Sequence, residues 1–240
     1  TNGAFKSDPF AEQATYYGQS QFNGEDVFYG KTDFEASALS RPLKSYAPGN
    51  SWAGSDRGIE MKYLVNTIDD GVRIWNMVND VPVSGSTDIY PAGALYKNVT
   101  IDEHNSAVVE YKDKSGNVIL KKVQIGDVPT DYSGHTNWLS TYYVYDDLNR
   151  LCFVIPPKAV ANLMKTHVDW DVTYNSNVLI DELCFQYKYD GRSRMVQKKV
   201  PGAAWVYMVY DNRDRLVLTQ DGNMRTNNQW MVTLYDAFNR

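Results

Sequence analysis

Four times along the chain a carboxylate and a guanidinium stand four residues apart behind a tyrosine. The copies are Tyr145-Asp146 with Arg150, Tyr189-Asp190 with Arg194, Tyr210-Asp211 with Arg215 and Tyr235-Asp236 with Arg240. One such pair, alone in a cleft, could be a charged active-site couple. A catalytic dyad is not repeated four times, so the pattern Tyr-Asp-x-x-x-Arg reads as structure: the Asp caps a turn and the Arg faces it across the returning strand. Trp52, in a loop rich in Pro, Gly, Asn and Ser, is the other candidate, as a ligand platform or a packed aromatic.

The residues around each pair say what must position it. Phe185, Tyr187 and Tyr189 alternate with Gln186, Lys188 and Asp190, the period of a strand with one aromatic face. Trp205 to Tyr210, Trp230 to Tyr235 and Tyr142 to Tyr145 are nearly all apolar, as expected of strands covered on both faces. Leu151 to Ile155, Met195 to Val200 and Leu216 to Thr219 suit the returning strands. A three-residue loop of this kind ends on a residue in the left-handed region, a position held here by Asn149, Ser193, Asp214 and Asn239. All but the serine are of the tolerant types. A degenerate copy runs through Asp113 to Asn117 with Gly116 at the third loop position, and another joins Glu35 to Arg41 with a loop two residues longer.

These residues resemble the YD-repeat, or RHS-repeat, family of bacterial RHS proteins, toxin-complex shells and teneurins. The pieces YVYDDLNRL, YKYDGRSRM and YMVYDNRDRLVLTQDGN carry the resemblance, which is strong over 107–240 and weak over 28–106. The run FQYKYDGRSRMVQKKVPGA also looks like large RHS surface proteins of the Bacteroidetes. The resemblance implies a non-catalytic segment of a secreted or cell-surface shell protein that scaffolds or encloses a C-terminal toxin or effector, or mediates surface contact. Its partners would be the remainder of a larger RHS protein, an encapsulated toxin domain or a surface glycan. No match to the family's aspartyl self-cleavage region is found here. The alternative is a carbohydrate-binding adhesion module using the exposed members of the 18 Tyr and 6 Trp.

The fold expected is all-β and mainly antiparallel, a curved open sheet of consecutive hairpin repeats with one short helix near 157–168. The division expected is an N-terminal β region over 1–106 and the repeat region over 107–240, or one continuous domain. Open edges invite pairing with a second copy as a homodimer. Residues 1–30 read as short strands and loops because Gly18, Gly24 and Gly30 interrupt them. Ile59 to Asn66, Val72 to Val78 and Ala94 to Ile101 read as strands, 126–137 as a protruding loop, and Trp170 to Asn177 as a return to strand. The helix carries Val160, Leu163, Met164 and His167 on one stripe.

A net charge of −5 without a basic stripe argues against nucleic acid, and no apolar run is long enough to span a membrane. The first residue is not Met and the last is the Arg of a motif, so both ends read as cut. Cys152 and Cys184 are the only thiols, either bonded to each other or free and buried. With His104, His135 and His167 they make no metal spacing, and no phosphate loop, nucleophile elbow or dinucleotide fingerprint occurs. No cofactor and no enzyme activity is expected.

Overall fold

The computed structural model describes residues 5–22, 24–166, 170, 172 and 178–240. The first elements are helix α1 (Pro9–Tyr17) and strands β1 (Lys31–Phe34), β2 (Pro42–Tyr46) and β3 (Ile59–Val65). Strands β4 (Asn76–Val78), β5 (Val81–Val83), β6 (Tyr96–Ile101), β7 (Ala107–Lys112), β8 (Val118–Gln124), β9 (Trp138–Tyr145) and β10 (Leu151–Ile155) follow. Helices α2 (Pro157–Thr166) and α3 (Val178–Leu183) precede β11 (Phe185–Tyr189), β12 (Met195–Lys199), β13 (Val206–Tyr210) and β14 (Leu216–Gln220). A short helix α4 (Gly222–Thr226) and β15 (Met231–Val232) close the order.

The chain folds as two compact units. The first, Thr1–Leu64 with Lys97–Val109, holds β1 to β3 and most of β6. β1 pairs antiparallel with β2 from Lys31↔Tyr46, and β2 with β3 at Lys44↔Glu60. Residues 9–17 are helical where short strands and loops were expected. Asp8 accepts the Ala11 N–H at 3.0 Å, Pro9 opens the helix, and Gly18 stands just after its end rather than inside it.

The second unit, Val65–Tyr96 with Glu110–Arg240, carries the repeats. Its strands β8 to β15 lie in chain order, each antiparallel to its neighbour, in a sheet that does not close. The register slips by one residue just before each motif's loop, at Val144/Tyr145, Lys188/Tyr189 and Val209/Tyr210. This slip is the bulge that a three-residue loop with a left-handed last residue imposes. Between β10 and β11 the helices intervene. Ala159, Val160 and Leu163 of α2 are buried, whereas Met164 is exposed. His167 and Val168 lie outside the described residues.

Only Asn76–Val78 of the 72–78 run is strand, and it forms a separate two-stranded hairpin with β5. The strand expected from Ala94 begins at Tyr96, after a Pro91-led turn. Trp170 has φ of +48° and Val172 lies in a turn, so neither continues a strand; 171 and 173–177 lie outside the described residues. Of the Trp230 to Tyr235 run only Met231 and Val232 pair, and both are exposed, because β15 has a neighbour on one side alone. β13 is half-buried rather than covered on both faces.

The 126–137 loop is tied down rather than protruding. Lys122 on β8, wholly buried, donates to the Tyr132 and Gly134 carbonyls at 2.7 and 2.8 Å. Its ammonium stands 5.2 Å from the Tyr111 ring and 4.7 Å from the Trp138 ring. Asp70, also wholly buried, accepts from the Tyr111 hydroxyl and the Thr67 N–H, both at 2.7 Å. A buried charge is retained only where such partners replace water, which fixes this loop against the sheet.

Cys152 and Cys184 are free and buried, and burial pushes their thiols up to about 11 and 12. Native protein is therefore expected to show no fast reaction with a thiol reagent at pH 8, and two thiols on unfolding. A rapidly modified native thiol contradicts this packing. Ser193 holds φ of +59° although serine disfavours it. Ser193→Asn is expected to raise stability by about 0.5 kcal/mol in urea unfolding, and a loss would show that the loop does not need that conformation.

Candidate functional site

Each Asp of the repeated motif closes its loop in the same way. The Asp146 N–H donates to the Arg150 carbonyl at 3.0 Å, and the Asn149 N–H to the Asp146 carbonyl at 2.9 Å. Asp146 Oδ1 accepts the Leu148 and Arg150 N–H groups at 3.0 and 2.9 Å, and Oδ2 accepts Arg150 Nε at 2.7 Å. At Asp190, Asp211 and Asp236 the three corresponding bonds run from 2.7 to 3.1 Å. The closing loop residues Asn149, Ser193, Asp214 and Asn239 have φ of +58° to +62°.

These carboxylates are already spent on three donors each. Arg194 holds Asp190 below the usual carboxylate range, and the Arg215 and Arg240 backbones do the same for Asp211 and Asp236. Burial would raise Asp146, but the Arg150 bonds outweigh it and the carboxyl stays low. A general acid needs a proton to give near neutral pH, and this arrangement removes it.

What the clips do is reach their neighbours. The Arg150 guanidinium stands 5.1 Å from the Tyr189 ring, Arg194 5.0 Å from Tyr210, and Arg215 4.8 Å from Tyr235. The same tyrosines donate their hydroxyls to the carbonyls of Leu151, Met195 and Leu216, each next after that arginine, at 2.9 to 3.0 Å. Nη1 of the arginine goes on to the next loop: Arg150 to the Asp190 carbonyl at 3.0 Å, Arg194 to Asp214 Oδ1 at 2.6 Å, Arg215 to Asn239 Oδ1 at 2.9 Å. Tyr145 makes the equivalent bond to the Val118 carbonyl at 3.2 Å.

The Asp113 copy obeys the same geometry, and the Glu35 copy keeps its ion pair and left-handed closing residue. Asp113 binds the Ser115 and Asn117 N–H groups, and the Asn117 amide stands in for the arginine at 3.0 Å while its Nδ2 also reaches Asn149. In the first unit, Glu35 takes Arg41 Nε and Nη2 at 3.0 and 2.8 Å, with Ser40 at φ of +46°. Arg41 lowers Glu35 to about 2. Two members were missed in the sequence. Tyr63 lies 4.3 Å beneath Arg41 and donates to the Pro42 carbonyl, and Asp102 closes a loop to Ser106 with Asn105 at φ of +63°. The signal for the second was an Asp followed three residues later by Asn.

Trp52 is half-buried, and the Arg57 guanidinium lies 4.5 Å from its ring. A concavity of about 310 Å³ lies elsewhere, in the second unit, lined by Asp80, Gln186, Tyr187, Lys188, Tyr189 and Trp205 among others. Asp80, at the tip of the β4–β5 hairpin, pairs with Lys188 at 2.8 Å, and Lys188 stands 5.6 Å from the Trp205 ring. Sequence reading did not single out Asp80, Lys188 or Trp205 as a group, because 108 residues separate the ion pair. Among the described residues no three His, Cys, Asp or Glu side chains gather as a metal site, and no helix is long and apolar enough to cross a membrane.

A family of unknown function, DUF6443, matches residues 1–65. No curated protein matches significantly. Among solved structures, the TcdB2-TccC3-TEV crystal structure is similar at 15% identity and a TM-score of 0.41. A Photorhabdus luminescens Tc holotoxin pore is similar at 14% and 0.39, and the TcdB2-TccC3 crystal structure at 14% and 0.40. Each comparison covers 80% of this chain and 9% of the other, so the chain spans about a tenth of those proteins' length.

If the stack of arginine on tyrosine couples neighbouring hairpins, a double-mutant cycle between Arg150→Met and Tyr189→Leu gives an interaction of about 0.5–1 kcal/mol in chemical denaturation. Strict additivity contradicts the coupling. Because the motif carboxyls are depressed in the fold, their contribution is present above the unfolded value near 4 and is lost as pH falls through the depressed values. Acid unfolding of the wild type is accordingly expected below about pH 4 from these groups, and Asp190→Asn should shrink that acid dependence.

Proposed function

We propose that this chain is a non-catalytic structural segment of an RHS- or YD-repeat shell or surface protein, scaffolding or enclosing a C-terminal effector or toxin, or mediating cell-surface contact. The observation that carries the reading is the ladder itself: in the motifs of Asp146, Asp190 and Asp211 the charged groups are consumed in closing their own loop and binding the next. Such residues build a strip whose length scales with the number of repeats. On this reading the partners are the remainder of a larger RHS protein of the Bacteroidetes surface type and its enclosed domain, with the whole secreted or at the cell surface. Two copies of the isolated chain pair through exposed edges such as β15. Residues 1–106 and 107–240 act as a divergent and a regular stretch of one construction, without cofactor.

The test is to produce the longer protein that carries this segment and digest it with a protease. Protection of a C-terminal domain that is cleaved rapidly when made alone supports enclosure, and equal cleavage in both contexts contradicts it.

A second reading, carbohydrate binding through exposed Tyr and Trp, is favoured by one observation. Tyr187, Tyr189 and Trp205 are part-exposed around one cavity, beside two carboxylates and an amide, and its two ion pairs leave its wall without net charge. Rings and planar polar groups together suit a neutral sugar, with an apolar face and a hydroxyl edge. On a glycan array Trp205→Ala is expected to lose at least tenfold in affinity, and Trp52→Ala reports on the other candidate platform. A blank array with folded wild type removes this reading and leaves the scaffold.

A further inference from the structure

The least ordinary chemistry in the second unit lies away from the repeat loops, where the 126–137 loop meets the turn at 67–73. His135 sits in that seam. Its Nδ1 is 3.2 Å from Ser140 Oγ, and its Nε2 is 3.2 Å from the Gly71 carbonyl and 3.4 Å from the Tyr142 hydroxyl. The ring also lies 5.8 Å from that of Trp170. The Gly134 N–H donates to the Asp69 carbonyl at 3.1 Å, so backbone and side chain together tie loop to turn.

The titratable groups facing this imidazole come from three directions. From β8 there is the buried ammonium of Lys122, already bound to two carbonyls of the same loop. From the turn there are Arg73 and the buried Asp70, and Asp70 is engaged by Tyr111 and by Thr67. From β9 there is the neutral Tyr142, whose hydroxyl accepts the Arg73 N–H at 3.1 Å. Two cations and the committed Asp70 carboxylate thus bear on a half-buried ring.

We infer that the 126–137 loop is an acid-released latch: a proton on His135 adds a third cation to this part-buried seam, and the loop lifts from the turn at 67–73 while the repeat strands stay paired. The repeat loops use no histidine, and their carboxyls are held low by arginine, so the latch opens before the ladder does. Burial is the largest cause of the resistance to protonation, followed among the opposing influences by Lys122 and Arg73; together they hold the imidazole at about 4. The sign follows. A histidine depressed in the fold contributes stability that is present above its unfolded value near 6.5 and declines as pH falls towards about 4.

The test is amide hydrogen exchange on the full 240-residue chain at pH 7 and pH 5, corrected for intrinsic exchange rates, together with the imidazole titration followed by NMR. Linkage predicts that the opening constant of the 130–136 amides rises roughly twentyfold between those values, while amides of β9 and β12 change little. His135→Gln, which keeps a neutral polar group in the seam, is expected to abolish the rise. If that variant fails to fold, the wild-type imidazole still decides, since a His135 resonance titrating near 6.5 overturns the proposal. A protection pattern indifferent to pH, or a rise that persists in folded His135→Gln, overturns it as well.

Discussion

The repeat strip rests on one carboxylate in each loop. An Asp at the end of a strand accepts two N–H groups from its own loop and a guanidinium from the returning strand. In doing so it fixes the loop length, the left-handed residue and the register slip together. The arginine, once held, is presented to the ring of the tyrosine of the next hairpin. Local turn chemistry and the contact between repeats are therefore one interaction, because the same guanidinium makes both.

That economy explains why the family of loops tolerates substitution at some places and not at others. Asn117 replaces the arginine and still reaches the neighbouring loop, at the cost of the stack on an aromatic ring. Glu35 replaces the aspartate when the loop is longer, since an extra methylene lets the carboxylate span the wider opening. Ser193 takes a conformation it does not favour, because Asp190 and Arg194 leave it no other. Between β10 and β11, which still pair in the sheet, the intervening helix α2 buries Ala159, Val160 and Leu163.

The repeats were legible because their information is local: Asp, a turn-tolerant residue and Arg within six positions of a strand-like tyrosine. The periodicity also gave α2. What stayed hidden depended on distant partners. Tyr63 reads as an ordinary strand aromatic until Arg41 is above it, and Asp80 as a turn residue until Lys188 meets it. The 126–137 loop looked free because its composition is that of a turn, while the group that holds it, Lys122, sits on a strand where lysine suggests solvent. α1 was obscured by glycines that flank it, and β15 by an apolar composition that one-sided pairing does not bury.

The central claim is that stability passes from hairpin to hairpin through the arginine and tyrosine contacts. Native-state hydrogen exchange of β9 to β15 in the wild type and in Arg215→Met tests it most directly. The account predicts that the variant frees the amides of β15 and the 236–240 loop, raises exchange modestly in β13 and β14, and leaves β9 and β10 unchanged. Uniform loss of protection across all these strands, or none in β15, would contradict it.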